Sequence, residues 1–259
     1  MEGSSIDKQN KTLESFDYQW KNLSDGPYLL SDEKWRDHVS HNILDELNLK
    51  EEEIAGKRVL DAGCGQGRWA YGFLKLNCET HGFDPSEHGI EYARKHVPRA
   101  FFNVANVLDY QGLQKLYQEN NFDVVWCWGV LHHTGNPELG FKNLTKFVKP
   151  GGMIHLYIYG RKMNRTKNIR KFFQIFPLWI RKLLASFLAV FLSSSTHSNF
   201  DMFSPPIASN HTESEVEKWY TDAGFSFKRV YPNWALGSTD IFTSGFKTTD
   251  SQVGAGKLK

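Results

Sequence analysis

The segment Arg58-Val59-Leu60-Asp61-Ala62-Gly63-Cys64-Gly65-Gln66-Gly67 passes from an apolar strand, Arg58 to Asp61, into a glycine turn. Arg68 to Leu76 follows as a helix. Glycines let the backbone turn sharply and leave no Cβ between the loop and a bound nucleoside. Asp84, at the end of the next strand (Thr80 to Phe83), follows the glycine loop by about 20 residues, the spacing of nucleotide-binding fingerprints. A carboxylate there can accept hydrogen bonds from both ribose hydroxyls.

Working outward, strands and helices alternate. Ser86 to His96 reads as a helix, Ala100 to Ala105 as a strand, Leu113 to Glu119 as a helix and Phe122 to Cys127 as a β-branched and aromatic strand. Asn136-Pro137-Glu138 starts a helix, with an N-cap, a proline at the first position and an acid in the first turn. Met153 to Tyr159 is a fifth strand. After an interruption, Thr212 to Glu215 fits a capping box whose helix runs to Gly224. Phe225 to Val230 and Asp240 to Lys247 read as two last strands. Upstream, Trp35, Val39, Ile43, Leu44 and Leu47 recur at helical spacing behind Ser31, read as the N-cap. Strands alternating with helices imply crossovers and a mostly parallel sheet.

Gly65-Gln66-Gly67-Arg68-Trp69-Ala70 also fits the dinucleotide pattern G-x-G-x-x-A, so a nicotinamide enzyme is the rival reading. Against it, Asp61 places an acid directly before the turn, which suits a cationic ligand better than a pyrophosphate. No second mononucleotide-binding half follows.

Four segments carry a resemblance. Val59 to Gly67 resembles motif I of the class I S-adenosylmethionine-dependent methyltransferases, and Gly82-Phe83-Asp84-Pro85-Ser86 resembles motif II. Phe122 through His133 is similar to the motif IV strand and its loop. Leu144 through Gly152 is similar to the segment leading into strand five. Together, in order, they resemble the small-molecule, ubiquinone-biosynthesis-like branch of that family.

The resemblance implies a Rossmann-like α/β fold. Its sheet would have seven strands, mostly parallel, with an antiparallel last strand and helices on both faces. It implies S-adenosylmethionine as cofactor and a small-molecule methyl acceptor. It places Gly63, Cys64, Gly65 and Gly67 along the methionine and ribose part of the cofactor, Asp61 near its amino group and Asp84 on its ribose. Asn106 and Val107 would meet the adenine, where the family often has an acid. Trp128 would lie beside the cofactor. No metal is implied.

Methyl transfer needs alignment more than a fixed catalytic residue, because the cofactor brings electrophile and leaving group. Candidates to handle the acceptor's proton are His132 and His133, in the loop after strand four, with Tyr159 and Arg161 at the end of strand five. Each has a plainer alternative in loop shaping or core packing.

Residues 161–205 form an insertion expected to be a helical cap over the acceptor. Between 161 and 200 it holds eight arginines and lysines and no Asp or Glu. Two apolar helical stripes meet at Pro177. The same composition in 161–192 suits peripheral contact with a membrane or a hydrophobic or lipid-linked acceptor. Residues 1–14 read as a mobile polar arm, 15–247 as the methyltransferase domain and 248–259 as a flexible tail.

A net charge of +2 gives no general case for nucleic acid as a partner. Three cysteines without metal-ligand spacing, and a polar start without an apolar signal region, point to a reducing, cytoplasmic setting. A cofactor-binding scaffold without turnover is the alternative to an enzyme.

Overall fold

The structure, a computed structural model, describes residues 2–24, 26, 28–160, 166–192 and 194–248. In chain order it runs α1 (Glu2–Asn22), α2 (Glu33–Leu47), α3 (Glu51–Ile54), β1 (Arg58–Ala62), α4 (Arg68–Lys75), β2 (Glu79–Asp84) and α5 (Glu87–His96). Then come β3 (Phe101–Val104), α6 (Tyr110–Leu116), β4 (Phe122–Trp128), α7 (Pro137–Thr145) and β5 (Val148–Ile158). The chain continues through α8 (Thr166–Phe173), α9 (Leu178–Leu192), α10 (Thr196–Phe203), α11 (Glu213–Asp222), β6 (Lys228–Val230) and β7 (Ile241–Phe246).

The seven strands form one sheet in the order β3-β2-β1-β4-β5-β7-β6. Pairs from β3 to β5 are parallel, and β7 runs antiparallel to both β5 and β6. The mostly parallel part is what the strand–helix rhythm implied, and the antiparallel last strand is what the family resemblance implied. The order reverses direction at β1, which lies between β2 and β4, and ligands bind open α/β sheets at the carboxyl edge near that switch.

Alternation along the strands divides the core. Val59, Val124, Trp126 and Met153 face α2 and α4, where they pack with Trp35, Val39, Ile43, Trp69 and Phe73. Leu60, Val125, Cys127, Ile154, Leu156 and Ile158 face α6, α7 and α11. Side chains at period two point to opposite faces of a strand, so these near-continuous apolar runs fit a sheet covered on both sides.

Two expectations change. The N-cap of α2 is Asp32, whose carboxylate accepts the Lys34 N–H at 3.1 Å, one residue beyond Ser31. The expected arm over 1–14 is instead most of helix α1. Its inward side is polar: Thr12 and Ser15 are buried, as is Gln19 further along. Ser15 Oγ meets Ser204 Oγ at 2.8 Å, and Gln19 Nε2 meets His197 Nε2 at 2.9 Å. A helix fixed by hydrogen bonds leaves no apolar stripe in the sequence.

The insertion is helical and breaks at Pro177 as expected, with α10 as a third helix. Leu23, Phe173, Ala185, Phe200 and Phe203 form a small core of their own, tying the end of α1 to α8, α9 and α10. Thr248 hydrogen-bonds Gly224, and the rest of the expected tail, 249–259, lies outside the described residues, as does Arg161.

Candidate active site

The carboxyl ends of β1, β2, β4 and β5 open into a cavity of about 940 Å³. That is the upper end of ordinary ligand pockets, roughly 300–1,000 Å³, and leaves room for two small molecules together. The strand ends and the loops after them form its floor. Helices α1 and α10 roof it, with Phe16 and Trp20 from the first and His197, Ser198, Asp201 and Met202 from the second.

The glycine loop is held from below by two carboxylates. Asp84, at the end of β2, accepts the Gly65 N–H through Oδ2 and the Ser86 N–H through Oδ1, each at 2.9 Å. Burial pushes Asp84 up to about 6, and those two backbone donors only partly oppose it. Asp84 lies on the cavity wall with Gly63, Cys64, Gly65, Asn106, Val107 and Trp128.

Asp61 does not. It is buried behind the loop, where Oδ2 accepts the Ala70 N–H at 3.1 Å in the first turn of α4. A carboxylate there complements the positive end of the helix. Burial pushes Asp61 up to about 7, against its bond to Ala70 and the nearby charge of Arg68. Gly67 is also off the wall. A Cβ there would press on Ala93, Phe102 and Val97, so this glycine lets α5 and β3 pack against the loop.

The other two glycines make room for protein as well as ligand. A Cβ on Gly65 would stand 2.6 Å from the Trp20 ring, and one on Gly63 would collide with Val130. Gly65 also has φ +51°, where any side chain is strained. Trp20 thus closes over the loop from α1, and Gln66 Nε2 donates to the Trp20 carbonyl at 3.1 Å. Asn106 Oδ1 accepts the Leu108 N–H at 2.9 Å, an Asx turn that sets the shape of this part of the wall.

The two histidines separate. His132 is fully buried and off the wall. It stacks on Tyr159 with centroids 3.7 Å apart, and neither ring nitrogen has a hydrogen-bond partner. Burial drives its pKa well down, so it stays neutral. His133 lines the cavity. Its Nδ1 lies 2.7 Å from the Ile207 carbonyl. A carbonyl only accepts, so Nδ1 carries the proton and Nε2 keeps a lone pair. Nε2 has no protein partner, and burial lowers the His133 pKa, the Asp201 charge opposing.

Tyr159 is on the wall with its hydroxyl donated to Asp201 Oδ2 at 3.1 Å. Tyr157 donates to Asp240 Oδ2 at 3.0 Å. Burial, reinforced by those carboxylates, raises both phenols well above their ordinary value. They act as fixed donors. Cys64 is buried beside the acids, and burial raises its pKa well above the ordinary thiol value, so it does not act as a thiolate.

Arg68, Asp201 and Glu46 also belong to the site, with no local sequence signal that marks them. Arg68, the first residue of α4, places its guanidinium over Trp128 at 4.8 Å and Trp69 at 5.4 Å, and Nη1 donates to the Tyr28 carbonyl at 3.1 Å. A cation at a helix N-terminus opposes the helix dipole; here the aromatic rings and the charges of Asp201 and Asp61 offset that cost. Glu46 is fully buried on α2 and holds Trp128 Nε1 at 3.2 Å and His155 Nε2 at 2.8 Å. It fixes the tryptophan that forms part of the wall.

A pH dependence follows from Asp84. Ribose hydroxyls donate to a carboxylate, and the ionised form prevails only above about pH 6. Affinity for an adenosyl ligand should therefore hold from pH 8 to about 7 and fall as pH drops through 6. Calorimetric titration with S-adenosylhomocysteine (SAH) across that range checks it; a flat profile would remove Asp84 from the ribose contact.

Comparison with known proteins agrees with this geometry. A methyltransferase domain family matches residues 60–154, from β1 into β5. The ubiquinone biosynthesis O-methyltransferase of Azoarcus sp. (strain BH72) is 26% identical over 190 residues, 73% of this chain and 76% of that protein. The tRNA U34 carboxymethyltransferase of Sulfurovum sp. (strain NBC37-1) is 30% identical over 137 residues, 51% of this chain and 44% of that protein. Magnesium protoporphyrin IX methyltransferase from Synechocystis PCC 6803, solved with bound SAH, superposes with a TM-score of 0.59 at 14% identity, covering 94% of this chain and 99% of that one. That last likeness is one of fold.

Proposed function

We propose that the chain is an S-adenosylmethionine-dependent methyltransferase that methylates a hydroxyl on a small hydrophobic acceptor. When bound, the cofactor supplies a methyl on a sulfonium, an electrophile joined to a good leaving group. Asp84 and the glycine loop would hold its ribose, and Asn106 and Val107 would flank its adenine. Arg68 would offer its guanidinium to the cofactor's carboxylate.

The observation that carries the reading is the pairing, on the wall of one cavity, of the Asp84–glycine loop cradle with His133, whose Nε2 has no protein partner. The acceptor hydroxyl would give its proton to Nε2 as its oxygen bonds the methyl carbon and the carbon–sulfur bond breaks. His133 would then return that proton to water. Burial keeps this imidazole unprotonated before the step, as a general base must be.

Phe16, Trp20, Trp35, Trp128, Tyr157, Tyr159 and Trp234 line the same cavity. Such aromatic walls favour a ring-bearing, apolar acceptor. A hydroxyl acceptor is also in keeping with the similarity to the Azoarcus ubiquinone biosynthesis O-methyltransferase. Labelled methyl from S-adenosylmethionine should pass into the organic-solvent extract of cells incubated with the protein, in base-stable ether linkage. Tight SAH binding with no label in any extract would overturn the enzymatic reading in favour of a scaffold.

A further inference from the structure

Helices α8 and α9 leave a large apolar face uncovered. Ile169, Phe172, Ile175, Trp179, Leu183 and Phe187 are each at least 40% exposed, and the stripe continues to Val190, Phe191 and Leu192. Trp179, Leu183 and Phe187 recur every fourth residue, so they share one side of α9. The opposite side is satisfied: Ala185 is buried, with Leu184 and Leu188 packed on the cap's own core. An exposed apolar patch of this extent on a folded chain marks a contact surface.

The charge around it has one sign. Helices α8 and α9 carry five cations and no acid, Arg170 and Arg181 being turned onto backbone carbonyls. Lys167 and Lys171 are exposed on α8 beside Ile169 and Phe172. Two copies of this face brought together would set like charges against each other. No single helix among the described residues is long and apolar enough to cross a membrane. The pair α9 and α10 passes such a test only together, is bent by 117°, and keeps Phe200 and Phe203 buried in protein.

We propose that this face docks the protein on the surface of an anionic lipid bilayer, with Trp179, Leu183 and Phe187 entering the headgroup boundary and Lys167 and Lys171 meeting lipid phosphates. Aromatic and leucine side chains on one face with lysines beside them are the composition of in-plane interfacial helices. The site of docking also has a consequence for the cavity. Helix α9 packs on α10, and α10 presents Asp201 and Met202 to the cavity. The bilayer would therefore lie against the outer side of the cavity's roof, where an apolar acceptor dissolved in lipid is concentrated.

Flotation of the full chain with vesicles tests this without any turnover. Binding to phosphatidylcholine vesicles containing phosphatidylglycerol is expected, weakening by about tenfold or more without the anionic lipid, in high salt or in Lys167→Ala/Lys171→Ala. Leu183→Glu/Phe187→Glu should lose about 100-fold while keeping native SAH affinity, which shows that the fold survives. Failure to bind either vesicle, or equal binding by the Leu183/Phe187 variant, overturns the proposal. So does a native dimer that ignores vesicles and is dissolved by that variant, since a second copy would then be the occupant. SAH titration without vesicles tests the methyltransferase reading separately.

Discussion

The His133→Ala protein should transfer methyl groups about 100- to 10,000-fold more slowly than the native chain, the range typical for loss of a general base. Its SAH affinity should be unchanged. The expectation comes from the ring's hydrogen bonding. Ile207 takes the Nδ1 proton, so the unprotonated nitrogen is the one left without a protein partner in a residue on the cavity wall. His132→Phe is the matched control. Its nitrogens are buried without partners and its ring stacks on Tyr159, so an apolar ring of similar shape removes two unsatisfied polar atoms. That protein should keep turnover within severalfold. Single-turnover rates with saturating cofactor separate the two. Equal losses in both variants would mean that the loop's shape, and no proton transfer at His133, is what the reaction needs.

Asp84→Ala should weaken SAH binding by roughly 2–4 kcal/mol, about 30- to 1,000-fold. Two contributions add. Hydrogen bonds from two ribose hydroxyls to a charged acceptor are lost. The N–H groups of Gly65 and Ser86 also lose their acceptor, so the loop no longer holds its bound shape. The second effect reaches stability as well, because a buried donor left unpaired costs about 1–3 kcal/mol. Asp84→Asn guards against reading misfolding as lost binding. It keeps the size and one acceptor oxygen, and should fall between the native protein and Asp84→Ala in affinity while melting close to the native temperature. Native-like affinity in a folded Asp84→Ala would remove this carboxylate from the site.

Much of this arrangement is legible in the chain. The β1 strand, the glycine turn and Asp84 declare a ligand edge because each needs a particular residue type: apolar residues to bury, glycine to turn at φ +51°, a carboxylate to accept. The alternation of apolar runs declares the doubly covered sheet. What stays hidden depends on partners far along the chain. Tyr159 finds its acceptor 42 residues later and Tyr157 finds one 83 residues later. Nothing local marks Asp201 or Asp240 as those partners. Helix α1 is hidden because its buried side, Thr12, Ser15 and Gln19, is fixed by hydrogen bonds instead of apolar contact. Asp61 and Gly67 illustrate the reverse case. Both belong to a ligand motif by position, yet one caps α4 and the other makes room for α5 and β3. Their service to the site is indirect, through the shape of the loop. Arg68 reads as an ordinary helix residue until three tryptophans, Trp35, Trp69 and Trp128, are seen to gather under its guanidinium.

A crystal structure of the native chain grown with SAH addresses the main assertion head-on. The ribose hydroxyls should lie within hydrogen-bond distance of the Asp84 carboxylate, the adenine between Val107 and its neighbours, and the sulfur should face the same open space as His133. Density for SAH elsewhere on the protein, or a ribose with Asp84 still closed on Gly65 and Ser86 alone, would contradict it.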